Sequence, residues 1–120
     1  TRGAGTRVEL RCPDPAANPY LVLAVCLEAG LDGIRNQITP PDAVTENVFE
    51  MQLQQRAKLG IESLPGDLEQ AVEELEKDDY IKSVLGGHIT EKYLEAKKAE
   101  WADYRAQVTE WEIEKYLYKI

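Results

Sequence analysis

The 120-residue sequence predicts a mainly α-helical fold with one β-strand near its start. Residues 6–11 alternate strictly between apolar and charged side chains, the pattern of a strand with one apolar face. Residues 67–120 instead place apolar side chains at helical spacing, interrupted by residues that cap helices. The length allows one domain with a modest core.

The predicted strand lacks a partner. No second alternating segment follows, and a lone strand cannot satisfy its backbone hydrogen-bonding groups. Cys12-Pro13 stops it, because proline donates no ladder hydrogen bond. The chain also opens without methionine and enters the strand almost at once. We therefore expect an excised fragment of a larger protein.

The second predicted element, in residues 18–35, is a helix buried on every side. Asn18 suits an N-cap and Pro19 the first helical position. The following ten residues are apolar nearly all round, which is typical of a fully buried helix. Gly30 and Gly33 are expected to end or interrupt it. The rest of the chain offers too little apolar surface to cover such a helix.

Residues 36–66 predict a loop region with one short helix near residues 52–59, closed by Gly60. A loop of this length is often functional or lies against a neighbouring subunit.

The helical C-terminal part, residues 67–120, is expected to begin with two short helices. Asp67 opens the first, and Asp78 with Asp79 caps the second, which ends at Gly86.

Two further helices are expected after that glycine. Thr90 is the predicted cap of a longer helix that ends near Ala106. Thr109 and Glu112, three residues apart, form a capping box that opens a last helix running to the end of the chain.

Charge and cysteine content exclude several classes of function. The net charge is −8, all of it in residues 41–120 because residues 1–40 are neutral. An acidic surface argues against nucleic acid and against an anionic membrane surface. The two cysteines, Cys12 and Cys26, form no disulfide framework and favour a reducing, cytoplasmic location. The only histidine, His88, is expected to be structural or solvated.

Arg7, Glu9 and Arg11 form the candidate site on the charged face of the strand, with about 6–7 Å between successive Cα atoms. A carboxylate is a hard oxygen ligand for Mg²⁺ or Mn²⁺, and arginine binds phosphate through a bidentate fork. Together these groups suit phosphoryl transfer. Spacing alone equally allows a solvated sheet face with ion pairs, which is the commoner arrangement.

Three stretches resemble prokaryotic type I glutamine synthetases: residues 6–21 (TRVELRCPDPAANPYL), residues 29–34 (AGLDGI) and residues 100–112 (EWADYRAQVTEWE). The resemblance covers essentially the whole chain. It implies the C-terminal portion of the family's α+β catalytic domain, with residues 1–11 as an active-site strand.

The resemblance implies a ligase that joins ammonia to glutamate with ATP through a γ-glutamyl phosphate, using two Mg²⁺ or Mn²⁺ ions. It implies that Glu9 is one metal ligand, that Arg11 is catalytic and contacts glutamate and the transferring phosphoryl group, and that Arg7 lies near the nucleotide phosphates. The family's other metal ligands lie upstream of this chain. Its active sites form between subunits of stacked six-membered rings, so the fragment alone is expected to be inactive.

Regulation is a further implication of the resemblance. A subgroup is switched off by adenylylation of a tyrosine, and Phe49 occupies the matching position here. Control by adenylylation is therefore not expected. Such members often rely on feedback inhibition by glutamine, and in some of them the C-terminal tail contacts transcription regulators. Residues 111–120 are thus a candidate docking site for a regulator protein.

The alternative function is a non-enzymatic, acidic helical module that docks a partner protein through its C-terminal helix. Charge changes at Arg7, Glu9 and Arg11 would leave such a module intact. Changes at Trp111 and Tyr116 would impair it.

Overall fold

A computed structural model describes residues 3–117 and residue 119. These residues form two compact units, and the division lies between Leu64 and Pro65. The helices are α1 (Pro19–Arg35), α2 (Leu53–Lys58), α3 (Leu68–Lys77), α4 (Asp79–Leu85), α5 (Gly87–Arg105) and α6 (Glu110–Glu112), and α6 is followed by a π-helical turn, Ile113–Leu117. The described residues are mainly helical and contain no β-strand. The mainly α prediction is confirmed.

Residues 6–12 of the first unit belong to no regular element. The strand expected at residues 6–11 is absent as a hydrogen-bonded element because nothing in the described part of the chain pairs with it. Its apolar face is open, and Val8 is 96% exposed.

Helix α1 begins as predicted. The Asn18 Oδ1 accepts hydrogen bonds from the backbone N–H groups of Tyr20 at 3.0 Å and Leu21 at 3.4 Å, and Pro19 is the first helical residue. The prediction that glycine ends or interrupts the helix is wrong, since α1 continues through Gly30 and Gly33 to Arg35. Each glycine costs a helix only about 1 kcal/mol relative to alanine, which its neighbours outweigh.

A residue in the left-handed region follows the end of α1 at Arg35. Gln37 has a φ of 52°, and the N–H of Ile38 then donates to the carbonyl of Gly33 at 2.9 Å. This bond satisfies a carbonyl of the last turn, as helix ends with a left-handed residue commonly do.

None of the residues of α1, all of which are described, is buried. Four large apolar side chains are exposed: Tyr20, Leu23, Leu27 and Ile34. The expected burial on every side is not provided by this chain, which has too few apolar residues to cover the helix.

Helix α2 lies inside the predicted loop region, where the short helix was expected. Gln52 and Gln55 form a capping box at its start, and Gly60, with a φ of 66°, follows its end.

The second unit is built on α3, α4 and α5, which pack against one another. The Asp67 carboxylate accepts the backbone N–H of Gln70 at 2.8 Å, and the Asp78 carboxylate accepts that of Ile81 at 2.9 Å. The predicted cap at Asp78 is confirmed, and so is the helix start expected at Asp67. Asp78 is also the residue that ends α3, so α3 and α4 meet at a single residue.

Helices α4 and α5 also meet at one residue, Gly86, whose φ is 78°. Because glycine tolerates this conformation, α5 begins at Gly87 and not at Thr90. The prediction of a cap at Thr90 is therefore wrong. Thr90 lies inside α5 and is 7% exposed.

Helix α6, near the C-terminus, begins with the predicted capping box. The Thr109 Oγ1 accepts the N–H of Glu112 at 3.2 Å, and the Glu112 carboxylate accepts the N–H of Thr109 at 2.8 Å. The helix predicted to reach the chain end becomes π-helical at Ile113, and the π-helical turn is described as far as Leu117. Tyr118 and Ile120 lie outside the described residues. Within residues 3–117 and 119, no helix meets the length and hydropathy needed to cross a bilayer.

Candidate functional site

The side chains of Arg7, Glu9 and Arg11 lie together in the first unit. Arg7 Nε donates a hydrogen bond to Glu9 Oε1 at 2.6 Å, and Arg11 Nη2 donates to Glu9 Oε2 at 2.6 Å. Each carboxylate oxygen is thus held by a different guanidinium group. We call these three residues the arginine–glutamate triad. Its members are two positions apart in the sequence, and an extended backbone places alternate residues on the same face of the segment.

The triad is open to solvent, as a binding site for a charged substrate must be. The Glu9 side chain is 41% exposed and that of Arg11 is 85% exposed. The hydrogen bond from Arg11, followed by that from Arg7, holds the pKa of Glu9 below its ordinary value, against a small opposing effect of burial. The glutamate is therefore ionised at neutral pH and available as an oxygen ligand.

The triad can provide only part of a metal site. The described residues hold no cluster of three or more His, Cys, Asp or Glu side chains that could bind a metal ion. Glu9 fits one ligand position for a hard cation such as Mg²⁺ or Mn²⁺. Both of its oxygens already accept from arginine, so ligation would require at least one guanidinium to move away.

His88 is exposed in the first turn of α5, in the second unit. It belongs to no metal-binding cluster of the described residues, and its expected structural or solvated role stays a prediction.

The second unit contains a surface groove of 240 Å³ between α3 and α5 that the sequence analysis did not identify. Its apolar floor includes Val72 and Trp101, and the indole N–H of Trp101 finds no hydrogen-bond partner in the part of the chain that is described. Lys98 on its wall pairs with Glu76 at 2.5 Å. The sequence signal was the helical spacing of residues 98, 101, 102 and 105, which places them on one side of α5.

Comparison with known proteins identifies the family. The family model described as "Glutamine synthetase, catalytic domain" matches residues 1–116, which include the whole triad. The chain is 53% identical over 118 residues to a glutamine synthetase of Clostridium saccharobutylicum, covering 98% of this chain and 27% of that protein.

Two further relatives agree. The chain is 53% identical over 117 residues to a glutamine synthetase of Thermotoga maritima, covering 98% of this chain and 27% of that protein. It is 51% identical over 116 residues to one of Methanocaldococcus jannaschii, covering 97% of this chain and 26% of that protein. The chain thus spans about a quarter of the length of the relatives that it matches. It belongs to the glutamine synthetase family, within the catalytic domain.

Proposed function

We propose that this chain is part of a glutamate–ammonia ligase that makes glutamine from glutamate, ammonia and ATP through a γ-glutamyl phosphate. The observation that carries the proposal is the Glu9 carboxylate held between two guanidinium groups, inside a stretch that matches a glutamine synthetase catalytic domain. Phosphoryl transfer needs a hard metal ligand beside groups that neutralise negative charge.

Each member of the triad has a distinct role in this proposal. Arg11 contacts glutamate and the transferring phosphoryl group, and its 85% exposed side chain leaves most of the guanidinium donors available. Arg7 lies near the nucleotide phosphates. Glu9 is one ligand of a Mg²⁺ or Mn²⁺ ion, which when bound neutralises charge on the phosphate oxygens.

The two ion pairs of the triad indicate how these roles are linked. If Glu9 gave one oxygen to a bound cation, the arginine that held this oxygen would be released to bind an anionic oxygen of the substrate. In the structure, Glu9 keeps both arginines beside its carboxylate. Metal ligation and phosphate binding would therefore be coupled through the same carboxylate.

The site requires residues beyond those described. Two cations need several oxygen ligands each, and the triad supplies a single carboxylate. We propose that the remaining ligands come from other parts of the enzyme and that it assembles as stacked hexameric rings. The exposed apolar side chains of α1 support packing against such a body. The free thiols Cys12 and Cys26 support a cytoplasmic location.

A glutamine-forming assay tests the proposal, using the complete protein that carries this chain with ATP, Mg²⁺, glutamate and ammonia. We expect ATP-dependent and metal-dependent glutamine formation. The 120-residue chain, checked by intact mass near 13.5 kDa, should be inactive in the same assay. Absence of glutamine formation by the complete protein would refute the proposed function. Activity of the short chain would refute the need for further ligands.

A second role as a docking module is supported by the C-terminal aromatic residues. The rings of Trp111 and Tyr116 meet edge to face, with centroids 5.8 Å apart, and both residues are exposed. Exposed aromatic side chains often anchor protein interfaces. A regulator protein bound here should be lost on Trp111→Ala and retained on Glu9→Gln.

A further inference from the structure

We propose that Asp14 and Asn18 are positioning residues for the arginine–glutamate triad, an inference that rests on the proposed function. The triad lies in residues 6–12, and helix α1 begins at Pro19. The connection from Arg11 to Pro19 joins the two and is the support for the triad that this chain itself supplies.

Asp14 fixes the first half of that connection. Its Oδ1 accepts the backbone N–H of Ala16 at 2.7 Å, and its carbonyl accepts that of Ala17 at 2.9 Å. Pro15 is the second residue of the resulting tight turn and Pro13 directly precedes it, and each proline holds φ near −65°.

Asn18 fixes the second half. Its Oδ1 accepts the N–H groups of Tyr20 and Leu21, and its carbonyl accepts the N–H of Val22 at 3.0 Å. The chain is therefore bound to the first turn of α1 immediately after the Asp14 turn. Two short side chains and three prolines leave few free backbone angles between Arg11 and the helix.

Loss of the side-chain oxygen of either Asp14 or Asn18 should allow the triad to shift relative to the part of the enzyme on which α1 packs. A displacement of about 1 Å of a group that acts in a transition state can lower a rate about 100-fold. Arg11 is proposed to contact the transferring phosphoryl group, so the loss should fall on kcat more than on KM.

The test measures kcat, the KM values for ATP and glutamate, and the melting temperature of the complete enzyme. We expect Asp14→Ala to lower kcat about 10- to 100-fold with KM values changed less than about threefold. Asp14→Asn keeps the Oδ1 acceptor and should restore kcat to within about twofold of the unmodified enzyme. Asn18→Ala and Asn18→Asp form an independent pair with the same expected loss and recovery, since aspartate also caps helices.

Asp67→Ala is the matched control. It removes the same kind of bond, from a side-chain carboxylate to the N–H of Gln70 at 2.8 Å, at the start of α3 in the other unit. It should lower the melting temperature as much as Asp14→Ala while leaving kcat unchanged. The inference is overturned if Asp14→Ala keeps its kcat, if Asp14→Asn loses as much as Asp14→Ala, or if Asp67→Ala loses kcat equally. An unmodified enzyme that forms no glutamine would instead refute the proposed function.

Discussion

The hydroxyl group of Thr90 donates a hydrogen bond to the backbone carbonyl of Lys82, with 3.2 Å between the oxygen atoms. The same carbonyl accepts the backbone N–H of Gly86 at 3.0 Å. Because Thr90 is buried in α5 and Lys82 lies in α4, this bond joins the two helices across their one-residue junction.

Thr90→Val should lower the free energy of unfolding by about 1 kcal/mol, because the hydroxyl is lost while the shape of the side chain is kept. The Lys82 carbonyl still accepts from Gly86, so the cost should not be larger. Thr90→Ser keeps the donor and should lie closer to the original stability. Urea denaturation followed by circular dichroism measures both variants. Equal stability of Thr90→Val and the unmodified chain would show that the bond contributes nothing.

The pKa of Glu9 should depend more on Arg11 than on Arg7. The hydrogen bond from Arg11 is the larger cause that holds this pKa below the ordinary value of 4.5. Arg11→Gln should therefore raise the pKa of Glu9 more than Arg7→Gln does. Carboxyl-detected NMR of ¹³C-glutamate-labelled chain measures the titration directly. The reverse order would contradict this prediction.

The sign of the accompanying stability change follows from that shift. A carboxyl group with a lowered pKa in the folded state stabilises the fold above its unfolded pKa, and this contribution disappears as the pH falls through the folded value. Glu9 should thus stabilise the fold above about pH 5 and lose this contribution as the pH falls below that value. The effect should be small because exposed ion pairs are screened by water.

Removal of the triad charges should abolish synthesis without unfolding the enzyme. Arg11→Gln should lower kcat about 10²- to 10³-fold, the usual cost of losing a group that stabilises transition-state charge. Glu9→Gln should also weaken the binding of Mn²⁺. Both can be followed by steady-state kinetics and metal titration of the complete enzyme.

Arg35→Gln is the control for these changes, since Arg35 forms an ordinary ion pair with Glu28 at 3.1 Å near the end of α1. It should leave kcat and metal affinity unchanged. A triad variant with normal kinetics, or an equal loss in Arg35→Gln, would remove the triad from the reaction site.

Phe49 should leave the enzyme insensitive to adenylylation. Its ring is 99% exposed, but it carries no hydroxyl group to accept an adenylyl group. After incubation with ATP and an adenylyltransferase active on a tyrosine-bearing relative, mass spectrometry should find no added AMP. Phe49→Tyr supplies the missing hydroxyl at the same exposed position and should gain the modification. An AMP adduct on the loop of the unmodified enzyme would contradict the prediction.

The helix starts could be predicted because a cap is a local interaction. Four of them are confirmed: Asn18, Asp67, Asp78 and Thr109. In each case the side chain accepts from a backbone group only two or three residues away. Such a bond depends on residue type and spacing, which the sequence displays directly.

The wrong predictions concern features that depend on more distant parts of the chain. Thr90 suits a cap by residue type, but its bond is to Lys82, eight residues earlier. Gly30 and Gly33 are weak helix formers, yet α1 continues past both of them to Arg35. The strand is a different case: a strand needs a partner, and residues 6–11 were expected to lack one within this chain.

The sequence pattern was sufficient to predict that the residues of the candidate site lie together. It was not sufficient to predict their chemistry. Period-two spacing brought Arg7, Glu9 and Arg11 to one side, and the structure joins them by two ion pairs. The same geometry fits an ordinary surface ion-pair network. Only the family relationship links the triad to phosphoryl transfer, because the described residues hold no cluster of three or more possible metal ligands.

The single-residue junctions at Asp78 and Gly86 have a consequence for how this chain can vary in length. One extra residue at either junction would rotate the next helix by about 100° and shift it by about 1.5 Å. An insertion at Gly86 would turn Thr90 away from Lys82, and an insertion at either junction would turn the side of α5 that packs on α3 to solvent. Between residues 67 and 105 the number of residues is therefore as constrained as their identity. Insertions and deletions among relatives should concentrate in residues 36–52 and 106–109, where loops can absorb them.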